Sequence, residues 1–260
     1  MSTILNRILI IVFAIIFLIS GGLILRYFLA SRQVEQQYDR LAQQFHQAEK
    51  KEKSRTSEDE ILPQYKELLT QNSDLVGWIS IEGTGIDYPV VQAKDNEKYL
   101  HHAFDRSESA HGCIFADASC DVTKPSDNII LYGHHMKDGS MFAILDQYKK
   151  ESFWQEHPVI RFDSLYRQGQ YEVMAVFTES VNTGGSGEFR YYDFTDAENE
   201  KEFQDFVHGC IERSIYTTGV WAEPGDELLT LSTCEYTKSN GRMVVVARRI
   251  LEGETELEDR

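Results

Sequence analysis

Hydrophobic and polar positions divide the chain into three regimes. From Ile8 to Leu25 no side chain is charged and nearly all are apolar. About 20 such residues in a helix cross the hydrocarbon core of a bilayer. The run exceeds the apolar core of a cleaved signal peptide, and no convincing small-residue cleavage site follows Ser20-Gly-Gly22. The reading is a short tail over 1–7 and a membrane-spanning anchor over 8–25. Residues 26–60 are polar, with Gln36, Gln37, Gln43, Gln44, Glu49 and a Lys50-Lys-Glu-Lys53 cluster. Only Leu41 and Phe45 form a thin helical stripe, and sustained heptads are missing. A solvated helical stalk is therefore expected there. Apolar spacing resumes at Ile61, predicting a helix over Ile61 to Leu69.

Beyond it the period shortens to that of strands. Apolar and β-branched runs predict strands over Trp78–Ile81, Asp87–Val91, Cys113–Phe115, Ile129–Tyr132, Val159–Phe162, Tyr171–Thr178, Glu227–Ser232 and Met243–Arg249. Turn segments such as Glu82-Gly-Thr-Gly85 and Glu223-Pro-Gly-Asp226 separate several of them. One helix interrupts the pattern: Thr195-Asp-Ala-Glu198 reads as a capping box, followed by a face of Phe203, Phe206, Val207, Cys210 and Ile211. Many short strands without regular intervening helices favour a mainly β fold with accessory helices, closed as a barrel, over a doubly wound sheet. The domain is placed at 61–253 and an acidic tail at 254–260. Asn182-Thr-Gly-Gly-Ser-Gly187 reads as a mobile loop that matches no motif.

Charge narrows the function. The 260 residues carry a formal net charge of −16, which argues against nucleic acid, since a phosphate backbone is bound by clustered Lys and Arg. Acidic runs such as Ser57-Glu-Asp-Glu60 and Glu252 to Asp259 read as solvated surface.

Candidate chemistry gathers at the last two strands. Leu228-Leu-Thr-Leu-Ser-Thr-Cys234 ends by presenting a cysteine, and eight residues later Arg242 opens the run Met243 to Ala247. A thiolate that attacks a carbonyl carbon and a guanidinium that stabilises its oxygen make a device for acyl chemistry. The device also needs a group that handles protons. Leu131-Tyr-Gly-His134-His-Met-Lys-Asp-Gly supplies histidine directly after a strand, and the residues alone do not choose between His134 and His135. Among the other cysteines, Cys210 falls on the apolar helix face and reads as packing. Cys113 and Cys120 leave open a small disulfide or two unlinked thiols. His111, Cys113 and Cys120 lack the close cysteine pair of a zinc site, so no metal and no cofactor is expected.

Thr230-Leu-Ser-Thr-Cys234 with Arg242, and Tyr132-Gly-His134, resemble the signature segments of the sortases, cysteine transpeptidases of the bacterial surface. Val76-Gly-Trp-Ile-Ser-Ile-Glu-Gly-Thr84, Ile86-Asp-Tyr-Pro-Val-Val-Gln92, Asp95-Asn-Glu-Lys-Tyr-Leu100, Gly112-Cys-Ile-Phe-Ala-Asp117 and Gly133-His-His-Met-Lys-Asp-Gly-Ser-Met-Phe142 are similar to class B in particular. The resemblance covers roughly Glu67 to Leu251.

It implies a sortase-like closed β-barrel behind an N-terminal anchor, with a cytoplasmic N-terminus and an external catalytic domain. It also assigns Cys234 as nucleophile, His134 rather than His135 as proton carrier, and Arg242 as oxyanion partner. A thiolate–imidazolium pair is the expected reactive form. Asn96, Leu100, Ser232 and Glu235 are expected substrate contacts, Ser232 because strand alternation puts it on the face of Cys234. The implied substrates are surface proteins with a C-terminal sorting signal, cleaved after Thr. The acceptor is an amine of a cell-wall precursor peptide or a pilin lysine. The same residues also suit a cysteine peptidase that releases its product to water, and a membrane-anchored binding protein without turnover stands as a third class.

Overall fold

The computed structural model describes residues 2–51, 60–181, 189–235 and 240–251. It divides into two compact units, Met1–Arg40 and Leu41–Arg260. The first unit is helical. It belongs to α1 (Ser2–Lys51), whose N-terminal part is apolar enough to be a membrane anchor, with a mean hydropathy of 3.1 in its most apolar window.

The second unit is built on eight strands: β1 (Leu75–Ser80), β2 (Asp87–Val91), β3 (Ile114–Ala116), β4 (Asn128–Tyr132), β5 (Val159–Ser164), β6 (Gln170–Ser180), β7 (Leu228–Glu235) and β8 (Gly241–Arg249). They close into a barrel in the order β1-β2-β3-β4-β7-β8-β6-β5. Each predicted strand is found, with no end shifted by more than three residues. Closure removes the unpaired edges that an open sheet of these apolar runs leaves exposed. Two pairs are parallel, β2 with β3 and β4 with β7. The β4–β7 pair needs a long crossover, and the chain fills it with α3 (Glu151–Glu156), β5, β6 and α4 (Glu200–Arg213). A 3-10 segment over Ala143–Lys149 and the short helix α3, which the sequence pattern does not announce, belong to this connection.

Helix α4 covers the outer wall of the barrel. Its Phe203, Phe206, Val207 and Cys210 pack with Leu228 of β7 and with Val244 and Val246 of β8, as its apolar spacing predicts. The expected cap at Thr195 is corrected. The N-cap is Asn199, whose Oδ1 accepts from the Glu202 amide at 3.2 Å, while Glu202 Oε2 accepts from the Glu198 amide at 2.8 Å. Thr195 is occupied elsewhere. Its carbonyl accepts from the Asn128 amide, and Asp127 Oδ2 accepts from the Ala197 amide, which fastens this stretch to the start of β4 and delays the helix.

The stalk reading of 26–60 is also corrected at its end. Leu41 and Phe45, expected in solvent, are buried. The Phe45 ring stacks on Trp78 of β1 with centroids 4.3 Å apart and an interplanar angle of 9°. Polar groups register the same helical segment: His46 Nε2 lies 2.9 Å from Asp87 Oδ2, and Glu49 pairs with Arg161. Two large residues one turn apart are enough when a strand tryptophan receives them. Helix α2 (Pro63–Gln71), with proline in its first turn, adds Tyr65 and Leu68 to the core. The 182–187 loop, residues 52–59 of the stalk and the 254–260 tail lie outside the described residues. Cys113 and Cys120 are not joined in a disulfide, and neither Cys210 nor Cys234 belongs to one.

Phe45→Ala tests the corrected boundary. Loss of a buried phenylalanine costs about 3–5 kcal/mol, so the urea midpoint of the barrel should fall clearly. An unchanged midpoint would restore the solvated stalk.

Candidate active site

The two parallel strands end at one rim. Tyr132 of β4 is registered with Ser232 of β7, and the Gly133 amide continues the ladder by donating to the Ser232 carbonyl at 3.2 Å. Two residues further along each chain stand His134 and Cys234. Strand β8 begins at the same rim, antiparallel to β7, and its Arg242 lies directly opposite Cys234. Three residues far apart in sequence are thus brought to one edge by strand pairing. Alternation places Cys234 on the face of Leu228, and Arg242 on that of Val244 and Val246. That face is the outer wall, which α4 covers lower down.

Gly133 permits this corner. A Cβ there would sit 2.5 Å from Ile114 Cδ1 and 2.8 Å from the Phe142 ring, so a side chain would have to displace Ile114 and Phe142. The two neighbouring histidines part company here. His134 Nε2 lies 2.8 Å from the Leu100 carbonyl, at the end of a 3-10 turn over Lys98–Leu100. His135 Nε2 instead approaches Asp146 Oδ2 at 3.3 Å. Cys234 and His134 are half-buried, and Arg242 donates from Nη1 to the Gly241 carbonyl at 3.0 Å. Cys234 also differs from the remaining thiols. Cys113, Cys120 and Cys210 are buried, and burial pushes the Cys120 thiol up to about 12, out of reach of thiolate chemistry.

The expected substrate contacts separate into different situations. Leu100 is half-buried, and its carbonyl touches the His134 ring. Asn96 is exposed, with Nδ2 donating to Asp117 Oδ2 at 2.9 Å and Oδ1 accepting from the Ala118 amide at 2.8 Å. Asp117 Oδ2 also accepts from Tyr132 Oη at 3.1 Å, so one carboxylate ties the Asp95–Leu100 segment to the barrel rim. Ser232 shares the face of Cys234 as alternation requires, but it is 1% exposed, and its Oγ lies 2.8 Å from Tyr191 Oη. On that face it is covered by Tyr191. Glu235 ends β7 opposite Gly241.

Tyr191 was not singled out in the sequence. It is buried on a 3-10 turn over Tyr191–Asp193, and burial pushes its hydroxyl up to about 12, opposed by the Ser232 hydrogen bond and the nearby Arg242 guanidinium. The only signal was the Tyr191-Tyr192 pair after a motifless loop. A cavity of about 1220 Å³ opens at the other end of the barrel, lined by Ser80, Asp87, Val159, Gln170 and Arg248. Among the described residues, its lining contains no cysteine.

The family model described as Sortase domain matches residues 79–250. Sortase B of Staphylococcus aureus is 34% identical over 242 residues, covering 92% of this chain and 94% of the relative. Sortase B of Listeria monocytogenes is 35% identical over 193 residues, covering 74% of this chain and 76% of the relative. Among solved structures, the S. aureus sortase B–substrate complex superposes with a TM-score of 0.76 at 34% identity, over 85% of this chain and 98% of that one. A Bacillus anthracis sortase B complex with AAEK2 gives 0.75 at 33% identity, over 84% and 96%.

Tyr191→Phe tests the support behind the nucleophile. Removing the hydroxyl strands the buried Ser232 Oγ, at a cost of about 1–3 kcal/mol. Thermal unfolding should show a lower midpoint. An unaltered midpoint would mean that the pair contributes nothing to the wall.

Proposed function

This chain belongs to the sortase family, and from that premise we propose that it is a class B transpeptidase that cleaves a C-terminal sorting signal after Thr and transfers the protein to an amine of the cell-wall peptide. The register that brings Cys234, Arg242 and His134 to one rim carries this reading. Cys234 Sγ, as thiolate, attacks the threonine carbonyl carbon. The oxygen takes up negative charge, and the planar fork of Arg242 donates to it. Collapse of the tetrahedral intermediate breaks the C–N bond, His134 protonates the departing amine, and a thioester remains on the enzyme. In the second half an amine attacks the thioester carbon with His134 as general base, and the thiolate leaves. No step calls for a metal.

In this reading Leu100 and Asn96 border the peptide on the His134 side and Glu235 on the other, with Ser232 acting through Tyr191. Water in place of the amine gives the peptidase outcome with the same residues, so the acceptor alone separates the two activities. A pilin lysine as acceptor would make the product a polymer. The N-terminal helix would anchor the chain in the membrane once, with the N-terminus cytoplasmic and the barrel outside. Arg7 on one flank and Arg26 and Arg32 on the other leave little charge bias of their own.

Sorting peptides incubated with an amine acceptor, with ligated and hydrolysed products read by mass spectrometry, test the reaction. Cys234→Ala should abolish both thioester and product. His134→Ala should be similarly severe, whereas His135→Ala should keep most activity because that ring faces Asp146. Arg242→Lys keeps the charge but loses the fork, and should fall by roughly 100- to 1000-fold. Substantial turnover by Arg242→Lys, or a dead His135→Ala beside a live His134→Ala, would overturn the assignment.

Fractionation tests the anchor. The full chain should stay with the membrane and expose the barrel to external protease. A soluble mature form beginning near Ser31 would show the segment to be a cleaved signal.

A further inference from the structure

The contact between His134 and Leu100 decides which ring nitrogen does the work. A carbonyl oxygen only accepts, so Nε2, at 2.8 Å from it, carries a hydrogen. In the neutral ring Nδ1 is then bare, and in the charged ring it holds the second proton. Either way Nδ1 is the nitrogen left to exchange a proton with the reacting groups.

Gly112 passes close against that carbonyl. This residue has φ of +60°. A Cβ on it would lie 2.4 Å from the Tyr99 carbonyl oxygen, 3.0 Å from the Leu100 carbonyl oxygen and 3.2 Å from His134 Cδ2. The backbone thus passes through the point where the Tyr99–Leu100 carbonyls and the imidazole meet. Adjacent bonds close the strap. The Cys113 amide donates to the Tyr99 carbonyl at 3.0 Å, and the Gly112 amide to the Ser109 carbonyl at 3.2 Å. From behind, Tyr99 Oη donates to Asp74 Oδ2 at 2.7 Å and accepts from Asn72 Nδ2 at 3.0 Å.

We propose that Gly112 is a positioning residue for the reaction: its missing side chain lets the Leu100 carbonyl fix the His134 imidazole as the Nε2–H form, leaving Nδ1 as the proton-transfer atom. The inference rests on the reading of His134 as the proton carrier. It gives that reading an atom and a support. A Cβ at 112 would force the Tyr99 carbonyl to move and crowd the Leu100 carbonyl and the His134 ring beside it, and a displacement on the order of 1 Å in a catalytic group costs about 100-fold in rate.

The test uses the full chain in detergent with 15N-labelled histidine, and His134→Ala to assign the resonances. Long-range 1H–15N correlation at a pH where the ring is neutral should show His134 as the Nε2–H tautomer. Gly112→Ala should turn this into a mixture and lower kcat for peptide ligation by about 100-fold, with KM little changed. Tyr99→Phe, which removes only the hydroxyl held by Asn72 and Asp74, should move both readouts less and in the same direction. Should Gly112→Ala fold poorly, the wild-type spectrum and Tyr99→Phe decide. A wild-type Nδ1–H tautomer, or lost kcat with the tautomer unchanged in either variant, overturns the inference. A fully active His134→Ala would instead overturn the proposed mechanism, whatever the tautomer.

Discussion

The parallel pairing of β4 and β7 is the constraint on which the site depends. Both strands run toward the same rim, so whatever follows Tyr132 and Ser232 in the chain must emerge side by side. An antiparallel pair would have sent the histidine and the cysteine to opposite ends of the barrel. Parallel neighbours cannot be joined by a hairpin, and the long crossover that joins these carries β6 to the far side of β8 and lays α4 on the outer wall. The helix covering the wall below the nucleophile is therefore a by-product of the same topological demand.

Around that rim the structure spends polar groups on holding things still. Asp117 gathers Asn96 and Tyr132, and Tyr191 meets Ser232. Most of these groups are buried, where an unmade hydrogen bond is costly and a made one is rigid. Cys234, His134 and Arg242 are instead half-buried.

Much of this was legible in the sequence, because strand periodicity and turn residues are local signals. All eight strands, the apolar face of α4 and the segment carrying Cys234 and Arg242 could be read from neighbours within a few positions. What escaped depended on distant partners. Phe45 looked like a weak stripe because its partner, Trp78, lies across a polar gap in the chain. The Thr195 box satisfied the local rule for a helix start, but the amide of Asn128 had already taken the Thr195 carbonyl. Tyr191 followed a segment without pattern. The choice between His134 and His135 needed the resemblance to known relatives, since nothing in the dipeptide says which ring turns to Leu100 and which to Asp146.

The antiparallel register of β7 and β8 has one more consequence. Cys234 and Arg242 face each other because of rungs further down the ladder, from Leu228 with Arg248 up to Thr233 with Met243. The distance between thiol and guanidinium is thus metered by the strands, and the residues that join them past the rim are not part of the gauge. A change in that connection would leave these rungs, and with them the pairing of Cys234 with Arg242, where they are.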